Sequence, residues 1–299
     1  MAMLALAAAA AALSGCGLFG ADSAYTRPVT NAAVDRNSAR YVASMIAAGG
    51  AGGFWMADNP AESINLADSR TPTYRVRQKV PYHHFDVPYP WQPSFRIEPL
   101  SDAHAVVVRT NDCRLFELYN ASFADSVLSA YSGASWSLRQ PFVPLAPGSP
   151  SAMASGLPIY AGMVRWEEAE SGWIRHALNW AAPAGTVAQW SFVRPASDAE
   201  GISFKAGAAL YQLPYGAHLR LRASFDTSKF GPQSAAIAKA MKTYGIYLAD
   251  TARANELYNS AALDGSDHWD ARDLGSLNSI HISDLEVLAL PGIEHVPGH

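Results

Sequence analysis

What most constrains this fold is punctuation: residues alternate between apolar and polar in short runs, and proline or glycine interrupts nearly every gap between them. Residues 74–80, 103–109, 114–119, 174–180, 188–193, 219–225 and 280–288 are such runs. A period of two places alternate side chains on opposite faces of a pleated strand. With 19 prolines and 22 glycines between the runs, long helices have little room. The predicted fold is mainly β, an antiparallel β-sandwich or jelly roll with one or two packed helices. One helix is expected near residues 38–46, where Tyr41, Val42, Met45 and Ile46 recur at helical spacing behind Asn37 or Ser38, and Gly49-Gly50 ends it. The other spans 232–244, with Ile237, Met241 and Tyr244 on one face, Lys239 and Lys242 on another, and Gly245 as its stop. Residues 246–250 then re-enter the sheet.

The amino terminus speaks to location. Residues 1–15 are almost wholly Ala and Leu without charge, as in the apolar core of an export signal, although no Lys or Arg precedes them. Leu13-Ser14-Gly15-Cys16 has lipobox spacing, so Cys16 is the expected lipidation site. A transmembrane anchor would need roughly 20 apolar residues. The reading is a signal peptide over 1–15, a lipidated tether over 16–34, and a single domain over 35–299. Gly17, where Asp would favour inner-membrane retention, points to the outer membrane as the place of the lipid anchor. With Cys16 carrying lipid, Cys113 is left alone and no intrachain disulfide is expected; in its alternating strand Cys113 reads as a small buried hydrophobe.

Hydrophobic residues make up 49% of the chain and charged ones 16%, with a formal net charge of -4. A sizeable core is therefore available, and no basic excess calls for nucleic acid as a partner. The chain has no GxSxG elbow, P-loop, HExxH or dinucleotide glycine pattern.

Residues able to do chemistry fall into three groups. The stretch from Pro81 to Trp91 sets Tyr82, His83, His84, Asp86 and Trp91 among three prolines. Rings on a stiff loop suit the C–H faces of sugars, or they simply close one end of the core. Adjacent side chains on an extended segment point apart, so no metal is assigned to His83, His84 and Asp86. Acids near strand ends, namely Glu117, Glu167, Glu168, Asp226 and Asp250, form the second group. Glu117 lies within an apolar strand, where burial would raise its pKa toward that of an acid catalyst, or where Arg165 or Arg220 would pair with it. His104 and His176, both within predicted strands, form the third.

Several blocks together resemble a largely uncharacterised family of secreted bacterial proteins. They are Gly156-Leu157-Pro158-Ile159 through Val164-Arg165-Trp166-Glu167-Glu168, His176-Ala177-Leu178, Leu219 through Phe225-Asp226, and Tyr244-Gly245-Ile246 with Leu248-Ala249-Asp250. His104 and the segment from Cys113 to Tyr119 fit the same pattern, and the resemblance spans roughly residues 35 to 288. Members of that family can be joined to carbohydrate-binding modules, which implies a polysaccharide partner. Met153 and Asp198 depart from it, standing where the family often has Asp and His.

These readings converge on an exported lipoprotein acting on polysaccharide without a cofactor, either as a glycoside hydrolase or as a non-catalytic glycan-binding or structural envelope protein. The expected carboxyl pair is Glu117 and Asp226, with His104, Arg165, His176, Glu168, Asp250, Tyr82, His84 and Trp91 as substrate-binding groups.

Overall fold

A computed structural model describes residues 15–298 apart from 21, 60, 61, 82–84, 86, 202–210 and 264–268. All but the last residue of the expected signal peptide lies outside the described residues. The architecture is mainly β, as expected. Two larger sheets use ten strands. In chain order these begin with β1 (Phe54–Trp55), β2 (Ile64–Ala67), β3 (Ala105–Arg109), β4 (Arg114–Tyr119) and β5 (Ser132–Ser137). They continue with β6 (Leu178–Pro183), β7 (His218–Leu221), β8 (Ile246–Ala252), β9 (Asn255–Leu257) and β10 (Leu285–Val287). One sheet has the order β1-β9-β6-β8-β7-β10 and the other β5-β4-β3-β2. The sheets are mixed, since β1–β9, β6–β8 and β2–β3 run parallel.

Alternation explains how the four-stranded sheet divides the interior. Val106, Val108 and Leu115 enter the main core, whereas Ala105, Val107, Phe116 and Leu118 face a smaller one with Tyr89, Trp91 and Leu128. Each Val, Leu or Phe among them, fully buried, contributes about 1.5–3 kcal/mol. Strand β8 is central and covered on both faces, so Ile246 to Ala249 form a continuous buried run. Its register with β6 slips after Trp180: Trp180 pairs with Leu248 and Ala181 with Asp250, leaving Ala249 as the extra residue of a bulge. From Asp250 onward the strand emerges from the core.

Helices α1 (Ser38–Met45), α2 (Ile159–Gly162), α3 (Trp166–Glu170), α4 (Pro232–Thr243) and α5 (Ala271–Leu274) pack around the sheets. The expected pair appears as α1 and α4. Pro232 opens α4 at its first position, where a missing N–H costs nothing, and the Asp273 carboxylate accepts from the Gln233 N–H at 2.8 Å. Gly245 closes it in the left-handed region at φ 78°. Other runs are shorter than predicted. The strand expected at 174–180 begins only at Leu178, that at 219–225 ends at Leu221, and 280–288 holds a turn of 3-10 helix before β10.

Residues 16–34 are not a free tether. Phe19 and Tyr25 are fully buried in the main core. The Tyr25 hydroxyl donates to Asn179 at 2.9 Å, and its carbonyl accepts from Ala177 at 2.7 Å. The expectation about cysteine is also overturned: Cys16 and Cys113 form a disulfide that closes 97 residues of chain. A sulfur in that bond cannot also carry a lipid thioether, so the disulfide and the expected lipidation of Cys16 are exclusive states of one atom. Two cysteines 97 residues apart carry no sign of their proximity in the sequence, and small residues before Cys16 spell a lipobox whether or not its sulfur is paired.

Closing so long a loop restricts the unfolded chain and is worth about 4–5 kcal/mol in the chain-entropy treatment. Protein purified from an oxidising compartment is expected to have an intact mass two hydrogens below the reduced form, and Cys113→Ser to lower unfolding free energy by about 2–5 kcal/mol. A diacylglyceryl mass on Cys16 would show the other state instead.

Candidate functional site

The expected carboxyl pair does not converge. Glu117 is fully buried in β4 and accepts from the backbone N–H groups of Ile159 at 2.9 Å and Tyr160 at 2.8 Å. It satisfies the unpaired donors that begin α2, the task of a helix cap. Asp226 is exposed and closes its own turn through Ser228 at 2.8 Å. One acid is sealed in the core and the other lies in solvent, so they cannot flank one bond.

Arg165, Glu168 and His176 do meet, but as an ion cluster. Arg165 bonds Glu168 at 2.7 Å and His176 bonds its other oxygen at 3.1 Å. Burial raises the Glu168 pKa, yet Arg165 and His176 together bring it down to about 2. Arg165 also donates to the Tyr160 carbonyl, and the second His176 nitrogen lies 2.8 Å from the Ala177 carbonyl. With these partners satisfied the three residues brace α3 against α2, and the substrate-binding role expected of them is withdrawn. Trp91 is likewise corrected. It is 1% exposed, packed edge-on to Phe95 in the smaller core, and offers no face to a sugar. Tyr82 and His84 lie outside the described residues, as do His83 and Asp86.

His104 and Asp250 do share a hollow. A cavity of about 460 Å³ opens where β8 leaves the core, and both residues line it together with Asp102, Asp198 and Glu200. Tyr119 and Tyr131, with ring centroids 6.2 Å apart, form its aromatic side. The loop from Ser151 to Leu157 forms another side, held by Ser151 bonds to Leu157 and Met153 and by Ser132 bonding the Ser151 carbonyl at 2.7 Å. Asp250 accepts from the N–H groups of Ala154 at 3.2 Å and Thr251 at 2.8 Å. The Thr251 hydroxyl donates to Glu200 at 3.3 Å, which ties the two acids to one residue. Burial, and after it the Glu200 charge, push the Asp250 pKa up to about 7. Glu200 is raised as well, by burial foremost.

A second cavity of about 610 Å³ is lined by Glu62, Glu98, Glu256, Tyr258, Trp55 and Arg96 among others. The His104–Glu98 pair, 2.9 Å apart, is the wall between the two hollows, because each partner lines a different one. Burial lowers the His104 pKa, but Glu98, Glu62 and Asp250 outweigh it and raise it to about 9. Burial and the nearby Glu98 push Glu62 up to about 7. The result is two neighbouring acidic hollows, one with tyrosines and the other with tyrosine and tryptophan on its sides, which can hold hydroxyl-rich molecules and exchange protons near neutrality.

Glu62, Glu98, Glu200 and Glu256 escaped the sequence reading. Glu62, Glu98 and Glu200 sit outside the strands of the two larger sheets, and only the chain's return to β3 and β8 brings them to the cleft. Comparison with protein-family models, curated proteins and solved structures finds no match to the chain.

Burial raises the Glu117 pKa to about 7 in the folded chain, against an ordinary value of 4.5. The proton is thus held more tightly when folded, so this group's contribution is full below about pH 4.5 and lost as pH rises through 7. Urea unfolding is expected to show stability falling by about 1–3 kcal/mol from pH 5 to 8, and Glu117→Gln to flatten that slope while lowering stability at pH 5.

Proposed function

We propose that the protein is exported and cleaves a polysaccharide bound in the acidic cleft, with Asp250 as proton donor and Glu200 as the ionised partner. The observation that carries this reading is the pairing of Asp250 with Glu200 through Thr251 in a solvent-reaching hollow, where burial and the Glu200 charge keep the proton on Asp250 up to about neutrality. Glycoside hydrolysis needs that division: a neutral carboxyl to protonate the departing sugar oxygen, and a charged one to activate water or attack the anomeric carbon. Tyr119, Tyr131 and Trp55 supply faces for pyranose C–H groups, and Ser132 and Thr251 supply hydroxyls.

Two further observations support it. Met153 and Asp198, the two positions the sequence pattern set apart, both line the first cavity. The Cys16–Cys113 bond suits an oxidising compartment and hence export. It favours a released form of the protein over a lipid-anchored one, because the segment around Cys16 is packed into the core.

Incubation with a panel of envelope and plant polysaccharides tests the reading. Wild type is expected to release reducing ends with a bell-shaped pH profile, falling above about pH 7 as Asp250 ionises and at lower pH as Glu200 takes up a proton. Asp250→Asn and Glu200→Gln are expected to lower turnover about 10²–10⁴-fold, and Asp226→Asn to leave it unchanged. Saturable glycan binding without product would make the cleft a non-catalytic receptor, and full activity in Asp250→Asn would refute the assignment.

A further inference from the structure

We infer that Glu62, Glu98 and His104 form a binding site for a divalent first-row transition ion, set in the wall between the two hollows. One ligand atom from each residue lies within 4.8 Å of the other two. Around a tetrahedral ion with metal–ligand distances of about 2.0–2.2 Å, ligand atoms stand roughly 3–4 Å apart. The three side chains therefore need only small rotations to close on a cation.

The imidazole supplies the independent observation. His104 is 7% exposed, and its Nε2 lies 3.2 Å from the Ala152 carbonyl. A carbonyl can only accept, so Nε2 carries a hydrogen and Nδ1 is the nitrogen turned to the carboxylates; an ion binding there displaces the Nδ1 proton and takes its lone pair. That Nδ1 is 2.9 Å from a Glu98 oxygen, yet it is buried without a hydrogen bond of acceptable direction. The same Glu98 oxygen already accepts the His104 backbone N–H at 3.0 Å. Nitrogen and oxygen thus approach as an ion pair without the angle of an aligned hydrogen bond, so the contact that an ion would replace is not an optimal one. Fixing one ring nitrogen on a backbone carbonyl so that the other is free to ligate is also the usual outer-shell arrangement of metal-binding histidines.

Two carboxylates and one imidazole favour Mn²⁺, Fe²⁺ or Zn²⁺ over Ca²⁺ or Mg²⁺, which prefer all-oxygen shells. Among the described residues three protein groups are supplied, and the second cavity adjoins them, so remaining positions are open to water or to ligand hydroxyls. Without an ion the second proton on His104 balances the charge of Glu98, and an ion must displace that proton. The site depends on these three residues alone and does not require Asp250 or Glu200 to be catalytic.

Full-length protein stripped with chelator and titrated with Zn²⁺ by calorimetry, and with Mn²⁺ by paramagnetic resonance, tests the inference. One ion per chain is expected. Glu62→Gln should weaken binding at least 10–100-fold, with Asp226→Asn unchanged and Ca²⁺ at equal concentration not competing. On wild type, the ¹⁵N resonance of His104 Nδ1 should shift on Zn²⁺ addition, a readout that needs no variant to fold. A His104 ring carrying protons on both nitrogens and indifferent to Zn²⁺, or Zn²⁺ binding undiminished in Glu62→Gln, would overturn the site. Loss of glycan cleavage in Asp250→Asn with Zn²⁺ binding intact would show that the two assignments stand separately.

Discussion

A carboxyl group withdrawn from water needs either donors for its charge or a proton to remove it, and this protein uses both solutions in different places. Glu117 takes the first two N–H groups of α2, Glu168 takes Arg165 and His176, and Asp273 takes the opening of α4. These acids hold elements together. Asp250, Glu200 and Glu62 are also withdrawn from water, but they have no cationic partner within ion-pair distance among the described residues. Their proton affinity rises, as that of Glu117 does, but unlike Glu117 all three line a hollow that solvent can enter.

The backbone creates that difference. Strand β8 is buried on both faces until Ala249, where one extra residue opposite β6 ends the even register. Asp250 follows at once, at the point where the strand leaves the core. On the other sheet, His104 stands just before β3, where the chain enters the pair of strands that separate the two cores. The cleft lies where the edges of these two regions meet. The disulfide ties the turn before β4 to the amino-terminal segment, and Tyr25 carries that segment across to β6 through Asn179.

Much of the framework was legible because a period of two survives in the residues themselves. The run at 114–119 is β4 to the residue, and the helix before Gly245 and the strand after it appear where spacing put them. The raised pKa of Glu117 was legible too, since an acid inside an apolar strand must lose its water. Its partner was not: the donors are backbone N–H groups of α2 rather than Arg165 or Arg220, and Arg220 is committed to Glu286. Alternation tells which side chains are covered and is silent on what covers them. For the same reason Trp91 read equally well as a sugar platform or as core, and Asp250 and His104 could be nominated while Glu62, Glu98 and Glu200 could not. The amino-terminal segment misled because small residues around Cys16 describe a lipobox and a packed turn with the same letters.

The central claim is that burial and the Glu200 charge hold a proton on Asp250 up to about neutrality, and that Glu200 too binds its proton more tightly than an ordinary carboxyl does. Carbon-detected NMR titration of the Asp and Glu side-chain carboxyls measures this directly. The account predicts that Asp250 titrates near pH 7 with a matching inflection on Glu200, and that replacing Glu200 with Gln moves Asp250 downward. Independent titration of both groups near pH 4 would contradict it.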